Sequence, residues 1–549
     1  MSYKEKYCYW IENISNGTFE ELQGLDDKQI YDRFYRDLEF GTGGLRGILG
    51  AGTNRMNVYT VRKATQGLCN ELLDCGDTIS SKGVVIAHDS RIMSREFAIE
   101  CTRVLAANGI KTYLFESLRP TPMLSFAVRY LGCARGIVIT ASHNPKEYNG
   151  YKVYGEDGGQ IPPETADGIL KYINALDTFA DVKVAEPDYI EIGKAVDDAY
   201  IAAVKEQSMG IEIPEDFKVA YTPIHGSGNL PVRRILTEIG VKNVLVVGEQ
   251  ELPDGNFPTV NSPNPENKEA LDMAIELARA NGASLAFGTD PDCDRVGVAV
   301  RKADGEYVCL TGNQTGSLLC EFILRKMQER GTLPKNGAVV KTIVTTELVR
   351  SICDKYSVKV FDVLTGFKFI GEKIKEFEES GEYTYLFGLE ESYGYLKGTY
   401  ARDKDAVVAS MLICEMAADY ASRGMTLYDG LQRLYLVYGY CEERLVSKTL
   451  YGEEGSLRIK EIMSNLRADP PRTLAGGEIT EVLDYGKGLD GLPKSNVLKF
   501  KMADGWFAAR PSGTEPKIKF YYGFGKNTKE NILVKLQEIQ KYVEEILRC

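Results

Sequence analysis

The sequence lacks several features that would assign it to a common class of protein. None of its 12 cysteines form a C-x-x-C pair, and the closest two, Cys69 and Cys75, are six residues apart. That spacing excludes the usual zinc sites and small disulfide frameworks, so we expect reduced thiols that serve packing. No run approaches the ~18 uninterrupted apolar residues of a membrane span, and the N-terminal segment lacks the apolar core of a signal peptide. We therefore expect a cytoplasmic protein with no membrane partner.

Positive charge is also scarce. The 66 Lys and Arg residues against 78 Asp and Glu residues give a net charge of −12. This balance argues against a nucleic-acid partner, and an anionic ligand would have to be bound by local basic loops. The chain has 549 residues, of which 44% are hydrophobic and 26% charged. These values indicate a folded chain of three to five domains, at about 100–200 residues per domain.

A succession of short apolar strands and helical patterns occurs three times. Each succession ends in an apolar run followed by an unusual polar sequence; the runs are 136–140, 285–288 and 383–387. Open α/β sheets place ligands at the carboxyl ends of their strands, so three such loops can face one central cleft. The tail from about Tyr440 has a different, α+β pattern. We predict three similar mixed α/β domains and a C-terminal α+β domain, with the ranges 1–205, 206–315, 316–438 and 439–549.

The sequence GTDPDCDR at 288–295 places three carboxylates at alternate positions directly after an apolar strand. Asp290, Asp292 and Asp294 can converge on one hard cation, and Mg²⁺ fits best. An EF-hand is excluded, because its loop positions six and twelve would be Arg295 and Arg301. A phosphatase that uses Asp290 as its nucleophile and a solvated acidic turn remain as alternatives.

Two further loops carry hydroxyl groups and charges suited to phosphate chemistry. In TASHNP at 140–145, a phosphorylated Ser142 would offer an oxygen to the metal, although a simple turn before the proline is an alternative. In RPSGTEPK at 510–517, two cations, two hydroxyl groups and a glycine suit a phosphate monoester, whereas a polar hairpin turn is the plain alternative.

Two other segments are less specific. The glycine-rich segment FGTGGLRG at 40–47 carries Arg46 but lacks the Lys-Ser/Thr ending of a nucleotide-binding loop. Glu390, Glu391 and Ser392 offer acceptors and a hydroxyl group for sugar hydroxyls, and an acidic helix start explains them nearly as well.

Taken together and in this order, these loops resemble those of the α-D-phosphohexomutase superfamily over nearly the whole chain. TASHNP, DPDCDR, GLEESYG and RPSGTEP are similar to the family's phosphoserine, metal, sugar and phosphate loops. The segments FGTGGLRGILGAGTNRMN at 40–57 and TGFKFIG at 365–371 look most like the branch with bacterial α-phosphoglucomutases and the phosphopentomutase-type enzymes.

The resemblance implies a reversible exchange of phosphate between C1 and C6 of glucose, through a phosphoserine enzyme and glucose 1,6-bisphosphate. It implies Mg²⁺ held by Ser142, Asp290, Asp292 and Asp294. The catalytic positions would be Ser142, His143, Lys152, Arg46 and Arg295. The substrate-binding positions would be Glu390, Ser392, Thr365, Gly366, Lys404, Arg510, Ser512, Gly513, Thr514 and Lys517.

Two departures from the family pattern affect these expectations. Pro291 and Cys293 stand where the metal loop often has glycine, which leaves every ligand in place. Lys368 lies where another branch has histidine, so either Lys368 or Lys404 contacts the sugar. The alternatives are a phosphopentomutase or phosphomannomutase, a metal-dependent phosphatase, and a non-catalytic sugar-phosphate-binding protein. We expect small sugar phosphates as partners and a monomer or homodimer.

Overall fold

The computed structural model describes residues 1–14, 17–41, 44–450, 452–489, 491–512 and 517–548. Four sheets of at least four strands follow one another along these residues, together with a small two-stranded sheet. The first three sheets have parallel central strands, and the fourth is wholly antiparallel. The predicted fold class, three α/β domains and a C-terminal α+β domain, is confirmed.

Three helices precede the first sheet, and the sequence patterns do not predict them. They are α1 (Tyr3–Asn13), α2 (Gly17–Gln23) and α3 (Asp27–Phe34). Ser2 and Asp26 start α1 and α3 with reciprocal side-chain caps, which satisfy backbone N–H groups of each first turn. Trp10 is only 2% exposed and lies at the centre of the small apolar cluster that these helices form.

The first three sheets differ in strand number but not in type. In spatial order, the first sheet contains β1 (Gly44–Ile48), β5 (Tyr148–Tyr154), β4 (Arg135–Ile139), β2 (Val84–His88), β3 (Thr112–Phe115) and β6 (Ile190–Ile192). The second contains β11 (Tyr307–Cys309), β10 (Val296–Arg301), β9 (Leu285–Thr289), β7 (Lys218–Thr222) and β8 (Asn243–Val246). The third contains β13 (Lys359–Val363), β12 (Gly337–Thr342), β14 (Thr384–Glu390) and β15 (Gly394–Leu396).

These three sheets share one internal arrangement. In each, a central strand (β2, β7 or β12) pairs in parallel with two neighbours. One of those neighbours (β4, β9 or β14) then pairs antiparallel with the strand that follows it in the chain (β5, β10 or β15). Each polar motif lies in the turn between these last two strands, so the three motifs occupy equivalent places in three copies of one unit.

Burial explains why the central strands are continuous apolar runs. Every residue of β2, β9 and β12 is buried, as expected for strands covered on both faces by helices. The helices of these units are α4 (Val58–Asp74), α5 (Asp77–Ser80), α6 (Ser94–Ala107), α7 (Thr121–Leu131), α8 (Pro163–Ala175), α9 (Lys194–Lys205), α10 (Asn229–Glu238), α11 (Gly248–Glu251), α12 (Lys268–Asn281), α13 (Gly312–Glu329), α14 (Leu348–Lys355), α15 (Phe367–Ser380), α16 (Ala406–Ala421) and α17 (Leu427–Tyr438).

Helix α16 holds the three units together. Its residues from Ala406 to Tyr420 are all buried, and it packs against α9, α10, α13 and α17. A predominantly apolar helix that is buried on every side is stable only when other elements cover all of it. The three α/β units therefore share one continuous core.

The fourth sheet has the order β16 (Cys441–Thr449), β22 (Lys517–Gly525), β21 (Gly505–Pro511), β20 (Leu498–Lys501) and β19 (Glu481–Asp484). Helices α18 (Gly452–Ala468) and α19 (Lys529–Arg548) accompany it, with the small pair β17 (Thr473–Leu474) and β18 (Gly477–Glu478) and a 3₁₀ turn at Tyr485–Lys487. These strands and helices give the C-terminal tail the α+β pattern that the sequence predicts.

The predicted domain boundary between residues 315 and 316 falls inside α13. Thr311 caps this helix, and its side-chain oxygen accepts the N–H of Gln314. The cap is a local signal that the predicted boundary overlooks, so we place the break before Thr311. The other predicted boundaries remain predictions.

The structure also describes eleven of the twelve cysteines, and all eleven are free thiols. The sulfur atoms of Cys320 and Cys353 lie 3.8 Å apart, well beyond the ~2.05 Å of a disulfide bond. Across the described ranges, none of the helices has the length and apolar character needed to cross a bilayer.

A buried interface joins the third and fourth units. Ile343 and Val344 pack with Trp506 and Tyr521 in one apolar cluster. Nearby, the carboxylate of Glu443 in β16 accepts hydrogen bonds from Thr346 Oγ1 at 2.5 Å and from Asn313 Nδ2 at 3.3 Å. Burial raises the pKa of Glu443 to about 7, and the charge of Glu347 acts in the same direction, although these hydrogen bonds oppose it.

We expect the substitution Glu443→Gln to gain stability relative to the native chain as pH rises. A carboxyl group with a pKa near 4.3 in the unfolded chain and about 7 in the folded one binds its proton more tightly in the folded state. Native stability should therefore fall, by up to about 3 kcal/mol, as pH rises from about 4.5 to 7, and an amide removes this term.

The measurement is the unfolding temperature of both proteins at about pH 5 and about pH 8. The unfolding temperature of Glu443→Gln minus that of the native chain should be several degrees higher at about pH 8 than at about pH 5. Glu442→Gln is the matched control: Glu442 is the neighbouring residue, and its carboxylate accepts hydrogen bonds from Tyr440 and Arg444 rather than from Thr346 and Asn313. Parallel pH dependences of Glu443→Gln and the native chain would contradict the assignment.

Candidate active site

Ser142 lies in the turn after β4 and has a backbone φ of 53°, in the left-handed region. The residue is only 3% exposed. Ser142 Oγ donates a hydrogen bond to Asp290 Oδ2 at 2.9 Å and lies 3.1 Å from His143 Nδ1. The structure thus brings together two loops that are 148 residues apart in the chain.

The metal loop follows β9, and its three carboxylates converge. Asp290, Asp292 and Asp294 are each at most 1% exposed, and their ligand oxygens lie within 4.8 Å of one another. Cys293 between them has a φ of 51°, which turns the chain sharply. Asp290 Oδ1 closes this turn by accepting the N–H groups of Asp294 and Arg295 at 3.1 and 3.0 Å.

Three consecutive carbonyl groups of this loop are each held by a different unit. Pro291 O accepts the N–H of Ser227 from the second unit at 2.8 Å. Asp292 O accepts the N–H of Thr121 from the first unit at 2.9 Å. The carbonyl of Cys293 accepts the N–H of Ala406, at the start of α16, at 3.2 Å. The position of the loop therefore depends on all three α/β units at once.

The carboxylates fit a divalent metal ion. Among the described residues, Asp292 Oδ1 and Asp294 Oδ1 are buried and have no hydrogen-bond partner, a costly arrangement for charged oxygens. Carboxylate oxygens beside a serine hydroxyl are hard donors of the kind that Mg²⁺ prefers. The three aspartates could hold a metal ion, as the sequence predicts; that the ion is Mg²⁺ and that Ser142 is a fourth ligand remain predictions.

The carboxylates differ in their proton affinity. Burial raises the pKa of Asp290, and the charges of Asp292 and Asp294 raise it further. The pKa of Asp294 is raised by its burial and by the charge of Asp292. At Asp292 burial acts upward too, but the charge of Lys152 and other contacts outweigh it, so its pKa is lowered.

Two lysines compensate the charge of the metal loop from different units. Lys152 Nζ in β5 lies 3.1 Å from Asp292 Oδ2, and Lys404 Nζ lies 3.0 Å from Asp294 Oδ2. The pKa of Lys404 is raised, because Asp294 and Asp403 outweigh the effect of its burial. Of the two lysines that the sequence left open, Lys404 is the one beside the metal loop, whereas Lys368 lies over the ring of Phe369 in α15.

Arg295, His143 and Arg46 surround the serine and the metal loop. Arg295 Nη1 lies 2.6 Å from Glu266 Oε1, so its guanidinium is held in place. Arg46 lies in β1, opposite Gly150 in the register of β5. Burial and the charges of Arg295 and Arg46 lower the pKa of His143 well below its usual value, so its imidazole is neutral at neutral pH.

The residues predicted to bind the sugar are also neighbours. Glu390 ends β14, and its Oε1 accepts the N–H of Gly366 at 2.8 Å, next to Thr365. Burial raises the pKa of Glu390 to about 7, although the charge of Lys404 opposes this. Ser392 follows in the turn between β14 and β15, and Tyr393 has a φ of 65°. The alternative of an acidic helix start is wrong, because the segment is a strand end and a hairpin turn.

The phosphate loop is described only in part. Arg510 lies in β21 and Lys517 begins β22, and Ser512 donates its N–H to Lys517 O at 2.7 Å. Gly513 and Thr514 lie outside the described residues. Strands β21 and β22 on either side of these residues are antiparallel neighbours, a pairing compatible with both the hairpin alternative and a phosphate-binding role.

Sequence reasoning missed several residues that the structure places at this site. Thr121 Oγ1 donates to Asp292 Oδ2 at 2.9 Å, and Ser262 Oγ donates to His143 O at 2.9 Å. Lys519 in β22 is largely buried, and burial lowers its pKa. Its charge acts on His143, so it faces the site from the fourth unit. Strand alternation could have found Lys519, which points to the same face as Lys517; contacts of Thr121 and Ser262 carry no local signal.

Comparison with known families decides the relationship of the chain. Models of domains I, II and III (alpha/beta/alpha) and of the C-terminal domain of phosphoglucomutase/phosphomannomutase match residues 37–179, 198–305, 311–438 and 463–530. The chain belongs to the phosphoglucomutase/phosphomannomutase family. This confirms the superfamily that the four loops resemble.

Individual members of the family extend over nearly the whole chain. A phosphoglucomutase of Staphylococcus haemolyticus is 37% identical over 528 residues, covering 93% of this chain and 94% of the relative. One of Staphylococcus saprophyticus is 36% identical over 532 residues, covering 93% and 95%.

Solved structures share the fold. A phosphoglucomutase/phosphomannomutase family protein from Burkholderia thailandensis superposes with a TM-score of 0.69 at 20% identity, covering 92% of this chain and 97% of that one. The open form of parafusin, a phosphoglucomutase from Paramecium, has a TM-score of 0.69 at 18% identity, covering 94% and 96%.

We expect Asp292→Asn to abolish stabilisation of the folded chain by Mg²⁺. A ligand that binds only the folded state stabilises it by about 2.7 kcal/mol at one hundred times its Kd. The unfolding temperature of the native chain should therefore rise with added MgCl₂, and that of the variant should not.

Asp272→Asn, on the exposed side of α12 in the same unit, is the control and should respond like the native chain. An equal response of Asp292→Asn and Asp272→Asn to MgCl₂ would remove Asp292 from the metal site. This readout does not depend on catalytic activity.

Proposed function

We propose that the chain is a phosphoglucomutase that interconverts α-D-glucose 1-phosphate and glucose 6-phosphate through a phosphorylated Ser142 and glucose 1,6-bisphosphate. The observation that carries the proposal is the hydrogen bond of Ser142 Oγ to Asp290 Oδ2, at 2.9 Å, in a buried metal loop. The nucleophile for phosphoryl transfer is thereby in contact with one of the carboxylates that would hold Mg²⁺. The similarity to the staphylococcal phosphoglucomutases favours glucose over other sugars.

The chemistry follows from these positions. In one half-reaction a sugar hydroxyl forms a new bond to phosphorus as the bond between phosphorus and Ser142 Oγ breaks, and the proton of the sugar hydroxyl passes to Ser142 Oγ. In the other, Ser142 Oγ forms a bond to phosphorus as the bond between phosphorus and a sugar oxygen of the bisphosphate breaks, and the serine proton passes to that sugar oxygen. Asp290 Oδ2 and the neutral His143 both lie within reach of that proton.

The cations have the task of neutralising charge on the phosphoryl oxygens, which supplies most of the catalysis in such transfers. Mg²⁺ bound by the aspartates would contribute to the same neutralisation. Lys152 pairs with Asp292 and Arg295 with Asp294, and the charge of Arg46 acts on His143 beside the serine, so we assign these three residues this role.

The remaining loops bind the rest of the substrate in this proposal. Glu390, Ser392, Thr365 and Gly366 bind sugar hydroxyls, with Lys404 beside them. The phosphate that is not being transferred binds to Arg510, Ser512, Gly513, Thr514 and Lys517. A loop of arginine, lysine and backbone donors recognises the charge of a phosphate group rather than the carbon atom that carries it. It can therefore accept either end of the bisphosphate.

The proposal includes further predictions. The fourth unit closes over bound ligand to exclude water, because hydrolysis would drain the phosphoenzyme. The protein acts in the cytoplasm, as a monomer or homodimer. A phosphomannomutase or phosphopentomutase remains the second candidate, since the family model covers phosphomannomutases as well.

The deciding experiment is a coupled assay of glucose, mannose and ribose 1-phosphates, each with and without its matching bisphosphate. We expect fastest conversion of glucose 1-phosphate, stimulation by glucose 1,6-bisphosphate and little inorganic phosphate. Faster turnover of mannose or ribose 1-phosphate would favour the second candidate. Stoichiometric release of inorganic phosphate would indicate a phosphatase, and ligand binding without conversion would indicate a non-catalytic protein.

Ser142→Ala should reduce mutase turnover by at least about 1,000-fold, because the variant cannot carry the phosphoryl group. Turnover is measured in the same assay, and phosphate on residue 142 by mass spectrometry. Ser410→Ala is the matched control: Ser410 is also fully buried but lies in α16. Near-native turnover of Ser142→Ala would exclude Ser142 as the nucleophile.

A further inference from the structure

Arg91 lies directly beneath the serine loop. It follows β2, and its side chain is completely buried, with 0% exposure. Its guanidinium donates to Ser142 O at 2.6 Å, Pro145 O at 2.9 Å and Tyr148 O at 3.1 Å, and also to Asn144 O. One side chain therefore binds four carbonyl groups of the loop that carries the nucleophile.

Arg91 is itself fixed in place from two sides. Asp89 Oδ2 lies 3.4 Å from Arg91 Nε, and Asp89 Oδ1 accepts the backbone N–H of Arg91 at 2.9 Å and the hydroxyl of Ser94 at 2.7 Å. The ring of Phe257, from the second unit, lies 5.1 Å from the guanidinium carbon. A charged group in this environment is stable only while its charge and donors are satisfied.

The serine loop needs such support. Ser142 holds a left-handed φ of 53°, a conformation that is unfavourable for a residue with a side chain. The carbonyl groups of Ser142 and Asn144 lie in the turn between β4 and β5, where strand pairing does not supply their donors, whereas that of Pro145 also accepts the N–H of Tyr148 at 3.1 Å. Asn149 adds a second connection, since its Nδ2 donates to Ile92 O at 2.9 Å and to Ser94 Oγ at 3.0 Å.

We infer that Arg91 is a positioning residue that holds Ser142 at the distance and angle required for phosphoryl transfer. This inference rests on the proposed function. The guanidinium shape is essential to it, because an ammonium group is a compact charge that cannot reach four carbonyls with a planar fork. Displacing a reacting atom by about 1 Å can cost on the order of 100-fold in rate.

The test compares Arg91→Lys with Arg135→Lys. Arg135 begins β4, at the opposite end of the strand that leads to Ser142, and its guanidinium binds Glu71 at 2.6 Å and Ala134 O at 2.9 Å. Both variants keep the charge and remove a guanidinium from a partly or fully buried site. For each, kcat and KM for glucose 1-phosphate are measured, with kcat expressed per Ser142 that mass spectrometry shows to be phosphorylated.

We expect Arg91→Lys to lower kcat per phosphorylated site by about 10- to 100-fold, with KM changed less than about 2-fold. In a single turnover, transfer of the phosphoryl group from Ser142 to glucose 1-phosphate should slow relative to hydrolysis of the phosphoserine by water. Arg135→Lys should match the native chain in all three quantities. A merely structural role would lower the amount of folded enzyme without changing these values per active site.

If Arg91→Lys does not fold, Ser94→Ala takes its place, because it removes one hydrogen bond to Asp89 and one from Asn149 without removing charge. It should lower kcat in the same direction by a smaller factor. Unchanged kcat in a folded Arg91→Lys, or in Ser94→Ala if the former is unfolded, would overturn the inference. Failure of the proposed function is distinguishable, because the native chain itself would then neither convert glucose 1-phosphate nor carry phosphate on Ser142.

Discussion

The arrangement of the site depends on how the backbone of the metal loop is held. Pro291, Asp292 and Cys293 offer three successive carbonyl groups, and each accepts an N–H group from a different α/β unit. These hydrogen bonds are buried, so breaking one leaves a polar group without water to replace its partner. The loop can take its position only when all three units are packed together, which makes formation of the site a consequence of the complete core.

The charges obey the same constraint. Three carboxylates within 4.8 Å of one another are unfavourable in a buried space unless positive charge is close. Lys152 comes from the first unit, Arg295 from the second and Lys404 from the third. Since no single unit contains both the acids and all of their counter-charges, a unit on its own would not stabilise this cluster. Helix α16 contacts all three units and is buried on every side, as expected when the units depend on one another for these charges.

Much of this could be predicted from the sequence, because the central strands β2, β9 and β12 are buried on both faces and therefore form apolar runs. The loops after β4, β9 and β14 could be singled out because their polar residues are of types and spacings that folding alone does not require. The hairpin strands β5, β10 and β15 were missed: β5 and β10 contain glycine (Gly150 and Gly297), which weakens a strand pattern, and β15 has only three residues. Arg91 and Thr121 were also missed: their importance comes from contacts with residues far away in the chain, which no local pattern records.

Ser142, Cys293 and Tyr393 occupy the left-handed region with φ of 53°, 51° and 65°, each in the turn between the equivalent pair of strands of its unit. One backbone turn thus presents a hydroxyl in the first unit, a set of carboxylates in the second and a glutamate and a serine in the third. The turn limits which residue can stand at its left-handed position, because a β-branched side chain there would be strongly disfavoured whatever chemistry its neighbours carry.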